Sequence, residues 1–147
     1  MAFNTIVIKS YLDIRDEHIA AAVITPGMLI ERITAGTVRA HAGDGESARR
    51  VWAIEDGMQG NGIDDDYAAD DPVQCWSTVN GEEIYALLEA GEVAVIGSKL
   101  VSAGNGYLKV FTGESLGPEA IVAEAQEAVS AAASSTATAD RILVKSC

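Results

Sequence analysis

The chain has 147 residues, of which 48% are hydrophobic and only 5% aromatic, and its formal net charge is −12. This length suits one domain with a core of small branched side chains, and the composition excludes a chain that is disordered throughout. Nucleic-acid phosphates and anionic membrane surfaces would be repelled by this charge, so we expect neither as a partner.

Localisation signals are scarce in the sequence. No apolar run approaches the roughly 18 residues of a membrane span. The start, "MAFNTIVIKS", has neither a basic first region nor a long apolar segment, so we do not predict a secretory signal. Cys75 and Cys147 lie far apart and lack metal-type spacing, which indicates free thiols in a protein made in a reducing cytoplasm.

The first segment, "NTIVIKSYLDI", is β-branched and apolar around residues 5–8. It predicts an N-terminal strand or extended arm over residues 1–15. We expect residues 16–147 to form a single β domain.

A glycine-punctuated phrase occurs twice, as "VITPGMLIERITAGTVRA" at 23–40 and "VAVIGSKLVSAGNGYLKV" at 93–110. Each copy predicts short strands separated by glycine turns, and Pro26-Gly27 suits a type II turn. The turn glycines are Gly27 and Gly36 in the first copy, and Gly97 and Gly106 at the matching positions of the second. Two interpretations stay open: a true duplication around a pseudo-twofold axis, or a chance match between glycine-rich β segments.

The region between the copies divides into strands and a loop. "ARRVWAIE" and "VQCWSTV" predict strands, and "DGMQGNGIDDDYAADDP" predicts an acidic loop. In "EEIYALLEAG", Ile84, Leu87 and Leu88 have helical spacing before Gly91, which predicts one short helix near residues 83–90.

The C-terminal region is ambiguous. Ala and Glu in "GPEAIVAEAQEAVS" favour helix over 119–129, yet the apolar residues also alternate as in a strand. "DRILVK" predicts a last strand. Short strands with frequent glycine turns indicate a mainly all-β fold, a small barrel or sandwich.

No pattern in the chain indicates catalysis. The aspartates of loop 56–71 lack the spacing of a calcium-binding EF-hand, so a solvated loop is favoured over a metal site. His18 and His41 have no nucleophile motif nearby, and His41 suits a strand end beside a turn. No phosphate-binding or dinucleotide fingerprint is present. We therefore predict no enzyme activity, no catalytic or metal residues and no cofactor.

The order of the phrases carries a resemblance. "ITPGMLIE", "VRAHAGDGESA", "WAIEDGMQGNGIDDDYAADDPV" and "NGEEIYALLEAGEVAVIGSKLVSAGNGYLKV", closed by "RILVKSC", resemble the capsid decoration (cement) proteins of tailed bacteriophages. The resemblance implies a small β-barrel or β-tulip domain on the outer surface of the mature virion. It further implies a homotrimer that bridges neighbouring major capsid subunits against internal DNA pressure.

The resemblance also bears on the closing hairpin. It implies a strand at "IVAEAQEAV" paired with "RILVK", against bare propensity. The chain departs from the family at Ser98 and in its long Ala/Ser loop 130–138.

Two groups of residues are candidates for binding. The first could add a strand to a capsid sheet edge, or could be an ordinary first strand; it consists of Phe3, Asn4, Thr5, Ile6, Val7, Ile8 and Lys9. The second, Trp52, Tyr67 and Trp76, could anchor an oligomer or capsid interface, with a core role as the alternative. Rival functions are a host-surface or glycan-binding module on the particle, and a metal-assisted hydrolase built on the acidic loop.

Overall fold

A computed structural model describes residues 3–113, 117–130 and 141–147 and confirms a mainly β protein. The strands of the N-terminal half are β1 (Val7–Lys9), β2 (Arg15–Ala20), β3 (Ile30–Arg32), β4 (Thr37–Ala40), β5 (Val51–Ala53) and β6 (Pro72–Ser77). Those that follow are β7 (Glu83–Leu87), β8 (Val93–Ala94), β9 (Lys99–Ser102), β10 (Leu108–Val110), β11 (Ala123–Ala125), β12 (Val129–Ser130) and β13 (Arg141–Ser146). Two single 3-10 turns cover Gly57–Gln59 and Gly117–Ala120.

The strands form three sheets. One sheet has the order β3-β4-β2-β6-β5, a second has β1-β7-β13-β11-β9-β10, and β8 pairs with β12 in a third. In the described part of the chain these sheets do not close into the single barrel that the sequence favoured. The end strands of the first sheet, β3 and β5, approach each other through the bridge between Leu29 and Trp52, but the described ladders include no continuous pairing that would close the sheet.

The short helix predicted near residues 83–90 is wrong. Residues 83–87 are strand β7, which lies between β1 and β13 and is buried along its whole length. A strand covered on both faces has no polar alternation, so Ile84, Leu87 and Leu88 imitate helical spacing. Neighbouring strands therefore override the local preference for helix.

The ambiguity at residues 119–129 is resolved toward strand. β11 pairs antiparallel with β13, with Ala123 opposite Ser146 and Ala125 opposite Val144. This confirms the closing hairpin that the resemblance implied, and the helix favoured by Ala and Glu propensity is wrong there. The Ala/Ser segment 131–140 lies outside the described residues.

The repeated phrase builds two hairpins with the same register. In the first hairpin residue 30 pairs with 40 and residue 32 with 38; in the second, 100 pairs with 110 and 102 with 108. Each pair of the second hairpin therefore lies 70 positions after its counterpart. Chance similarity between glycine-rich segments would not align the hydrogen-bond ladders in this way.

The duplication extends over five strands of each half. Strand β2 pairs with β6 as β7 pairs with β13, so that Ile19 opposite Pro72 corresponds to Leu87 opposite Arg141. The pairing of β5 with β6 likewise corresponds to that of β11 with β13. Even the parallel contact of β2 with β4 has a counterpart in the bridge from Leu88 to Leu108. We call residues 15–77 the first repeat and residues 83–146 the second repeat.

In each repeat, one side of the strands faces a core, and we call the residues on that side inward. The inward residues at equivalent positions are apolar in both repeats. They are Ile30 and Leu100, Val38 and Leu108, Ala53 and Ala125, Val73 and Ile142, and Cys75 and Val144, all buried. Burial raises the pKa of the Cys75 thiol to about 11. Each repeat thus has its own small core of aliphatic side chains.

The opposite side of the same strands differs between the repeats. Leu29, Trp52 and Trp76 of the first repeat are buried in one cluster with the inward residues of the second repeat. We call these three residues the aromatic face. At the equivalent positions the second repeat has Lys99, Glu124 and Lys145, of which Lys99 and Glu124 form an ion pair at the surface. The repeats therefore stack in one direction, because only one of the two faces is apolar.

We predict that Trp52→Ala lowers the free energy of unfolding by about 3–5 kcal/mol, since it removes the largest fully buried side chain between the repeats. Glu124→Ala, the matched change at the equivalent position, should have little effect because that carboxylate is in water. Urea denaturation of both variants measures the difference. Equal losses of stability would contradict the one-directional stack.

Candidate interaction surface

The N-terminal candidate segment forms an edge strand of the second repeat's sheet. Val7 pairs with Ile84 of β7, and Ile6 is fully buried in the cluster that the aromatic face forms with the inward residues of the second repeat, which we call the main core. The Phe3 ring stacks edge-on against Tyr85 with centroids 5.2 Å apart. Lys9 Nζ lies 3.6 Å from a carboxylate oxygen of Glu83. The segment is thus part of the fold, and its outward side shows Asn4 and Thr5 to solvent.

The aromatic candidates lie inside the chain. Trp52 donates its Nε1–H to Thr78 at 3.1 Å, and Trp76 donates to buried Glu82 at 3.4 Å. Tyr67 donates its hydroxyl to the Ile54 carbonyl at 2.5 Å, and its burial raises its pKa to about 12. The structure places all three in the core, so none presents an aromatic surface to a partner.

The predicted turn glycines occupy different environments. Gly27, Gly97 and Gly106 have positive φ, whereas Gly36 lies in the bend between β3 and β4 without one. A side chain at Gly27 would meet the Arg141 guanidinium at 2.5 Å and the Tyr85 carbonyl at 3.1 Å. Gly27 is therefore required both for its backbone angle and for the close approach of the second repeat.

Arg141 is a structural residue that the sequence did not reveal. Its guanidinium donates to the Pro26 and Ile63 carbonyls, both at 2.6 Å, and lies 3.6 Å from Asp64. One side chain of β13 thereby fixes both a glycine turn and the acidic loop of the first repeat. A single arginine at the start of a strand gives no sequence signal for such a role.

The acidic loop 56–71 is organised by its own carboxylates. Asp65 accepts a hydrogen bond from the Gly62 amide at 2.6 Å, and Asp71 accepts one from the Ala68 amide at 3.0 Å. Tyr67 anchors the loop through a backbone bridge to Ile24. Within the described residues, no group of three or more His, Cys, Asp or Glu side chains is placed to hold a metal ion.

A groove of about 550 Å³ opens on the inward side of the first repeat. Its lining mixes charged and polar side chains, such as Asp16, His18 and Arg49, with apolar ones such as Ile30 and Val51. The second-repeat residues equivalent to Asp16 and His18 are Ile84 and Ala86, which the aromatic-face cluster buries. The groove therefore lies at the place in the first repeat that corresponds to the side of the second repeat covered by the aromatic face.

His41 joins the two hairpins beside this groove. Its Nδ1 lies 2.7 Å from the hydroxyl of Ser102, and its Nε2 lies 3.8 Å from a carboxylate oxygen of Glu31. The three residue types are those of a hydrolytic triad, but Ser102 has no exposed surface and could not reach a substrate. Further contacts run from the Leu29 amide to the Gly106 carbonyl at 2.9 Å and from the Gly106 amide to the His41 carbonyl at 3.2 Å. We interpret His41 as a structural link, in line with its predicted place at a strand end.

Two exposed apolar side chains precede the predicted turn glycine Gly97, and exposed apolar side chains also occur at Tyr11, Leu12 and Ile14. Val95 is 58% exposed and Ile96 is 71% exposed, in the turn that begins the second hairpin. Alignment of the two copies pairs Ile96 with Pro26, which is buried, so comparison of the two copies draws attention to Ile96.

No helix among the described residues is long and apolar enough to span a membrane.

The comparisons with known proteins identify a shared fold. The chain is similar to the N base of the head fiber protein gp8.5 of bacteriophage phi29, with a TM-score of 0.59. The match covers 92% of this chain and 95% of that one at 10% sequence identity. No protein-family model matches the chain, and no curated protein does. At this identity the likeness concerns the fold, and it extends over almost the whole of both chains.

We predict that Gly27→Ala is more destabilising than Gly97→Ala. Both force a side chain into positive φ, at a cost of about 1–2 kcal/mol. Only Gly27→Ala also displaces Arg141 from its buried carbonyl acceptors, which adds about 1–3 kcal/mol. Thermal denaturation followed by circular dichroism measures both, and equal shifts in melting temperature would show that Arg141 does not depend on this turn.

We predict an acid-dependent loss of stability at Glu31. Burial alone would raise the pKa of Glu31, but hydrogen bonds from Arg39 and the Ala42 amide, with His41 nearby, bring it below its usual 4.5. A lowered folded-state pKa stabilises the fold above the unfolded value, and this contribution disappears as pH falls through the folded value. Glu31→Gln should therefore flatten the decline of stability below about pH 4.5.

The Arg39→Gln variant provides the control for this prediction. It removes the main hydrogen-bond donor to Glu31, so it should flatten the same part of the stability profile. The double variant should show little further change, because both substitutions remove one interaction. If the effects of the two substitutions were additive, the two residues would not act through one shared interaction, and the acid sensitivity would belong to other carboxylates.

Proposed function

We propose that this chain is a structural protein of a tailed-bacteriophage virion. It binds the outer surface of the mature capsid and links neighbouring major capsid subunits against internal DNA pressure. The observation that carries this proposal is the fold shared with a phage head fiber base over nearly the full length of both chains. The ordered phrases that resemble decoration proteins point to the same class of function.

The proposed role depends on surface contact. The chain acts as a homotrimer, catalyses no reaction, and needs no cofactor, nucleic acid or membrane. Its large negative charge keeps free copies apart from DNA while the capsid is filled. A glycan-binding module has less support, because both tryptophans are buried and so provide no platform for a sugar ring.

The outer edge of β1 is the proposed capsid contact. β1 is the edge strand of the six-stranded sheet, and its other side is already paired with β7. An extended capsid segment could add to this edge through backbone hydrogen bonds. Asn4, Thr5 and Lys9 are the exposed residues of the segment.

Purified protein added to capsids that lack it should bind at saturable sites, and sedimentation of the capsids measures the bound fraction. Thr5→Lys should weaken binding without lowering the melting temperature, since a lysine two residues before the edge strand β1 hinders pairing of that edge with another strand. Asn61→Lys, an equal charge change on the exposed acidic loop, is the matched control.

Two results would count against these statements. Equal binding by the Thr5→Lys and Asn61→Lys variants would exclude the β1 edge as the contact. Absence of the wild-type protein from its virion, established by electron cryomicroscopy of the particle, would overturn the proposed function itself.

A further inference from the structure

One glycine turn of the first repeat contacts the second repeat, and among the described residues the matching turn of the second repeat makes no such contact with the first. Turn one, residues 25–28, lies against β7 and β13 of the second repeat. Arg141 donates to the Pro26 carbonyl at 2.6 Å, and the Leu87 amide approaches the Gly27 carbonyl at 3.4 Å. A pseudo-twofold axis would require the matching turn of the second repeat to lie against the first repeat in the same way.

The matching turn is uncovered. Turn two, residues 95–98, has Val95 and Ile96 at the positions of Thr25 and Pro26. These two side chains are 58% and 71% exposed, and among residues 3–113, 117–130 and 141–147 no heavy atom lies within 4 Å of a side chain built at Gly97. An apolar turn that is docked in one repeat is thus solvent-exposed in the other.

The surface that would receive turn two is also uncovered. By the strand register, the counterparts of Leu87 and Arg141 are Ile19 and Pro72, which pair with each other across β2 and β6. Ile19 is 42% exposed, and Pro72 is exposed. The turn-one contact therefore has two exposed apolar equivalents. Turn two corresponds to turn one, and the surface of Ile19 and Pro72 corresponds to the surface of Leu87 and Arg141.

We propose that turn two of one copy docks on the Ile19–Pro72 surface of a second copy, so that the chain associates with itself head to tail. The contact repeats between chains the arrangement that turn one makes within a chain. Such heterologous contacts form a closed ring when their rotation closes. The inference deepens the homotrimer of the proposed function, on which it rests, by naming the surfaces that meet.

The chemistry of the two surfaces sets the character of this association. The Ile19 amide already donates to the Gly36 carbonyl at 2.8 Å, and Pro72 has no amide hydrogen to donate. The contact between copies is therefore made by apolar side chains, without the two hydrogen bonds that Arg141 gives to the first repeat. We expect an association that is reversible and depends on concentration.

The test uses the full chain in solution. Sedimentation equilibrium is measured for the wild-type protein and for Ile96→Asp, Ile19→Asp and the control Met58→Asp, whose position is 93% exposed and remote in sequence from both surfaces. Each charged variant should weaken self-association by about tenfold or more, because an aspartate loses its water at an apolar contact. The control should associate as the wild type does, and unchanged circular dichroism and melting temperature show that the variants are folded.

A mixture of the two interface variants tests the head-to-tail geometry. Ile96→Asp chains keep an intact receiving surface and Ile19→Asp chains keep an intact turn, so the mixture should form heterodimers that neither variant forms alone. A wild-type protein that stays monomeric at all concentrations would overturn the inference, and so would self-association lost in only one of the variants. Trimers that persist in both variants would refute this contact while leaving the proposed homotrimer standing, and capsid sedimentation measures the proposed function separately.

Discussion

The packing of the aromatic face on the inward side of the second repeat is the interaction on which the rest of the structure depends. Trp52 is fully buried in this interface, and its indole hydrogen bond to Thr78 continues to Ser146 of β13, which lies 3.0 Å from the Thr78 hydroxyl. Buried aromatic side chains of this size contribute several kcal/mol each. The main core is therefore assembled from both repeats, and the two cannot be regarded as separate domains.

The two repeats have the same strand pairings, but they differ in the residues at the positions of the aromatic face, which determine how the repeats stack. The inward aliphatic residues are alike, so each copy can form the same five paired strands. At the positions of the tryptophans the second copy has Glu124 and Lys145, which favour water. One apolar and one charged face make the stack of repeats asymmetric, and among the described residues this asymmetry leaves one groove of mixed polarity and one apolar turn uncovered.

The sequence predicted the elements whose signal is local and failed where neighbours decide. β-branched runs between glycines located β5, β6 and β13 correctly, and the aligned glycines exposed the two hairpins. The strand β7 was mistaken for a helix because burial on both faces erased its alternation, and Ala123–Ala125 lies in a strand despite good helix formers. The remaining duplicated strands share register without sequence likeness, so only the hydrogen-bond ladders reveal them. The role of Arg141 depends on contacts 78 and 115 residues away in the chain, which no local pattern encodes.

The position of the two tryptophans has a consequence for biosynthesis. The first repeat leaves the ribosome before the strands that cover Trp52 and Trp76 have been made, and β13 comes last of all. Until then the nascent chain carries an unshielded apolar surface, with its longest-range pairings still to form. Slow translation of the second half would prolong that exposure, so yield in a cell should depend on chaperones and on the speed of elongation more than on the stability of the finished protein.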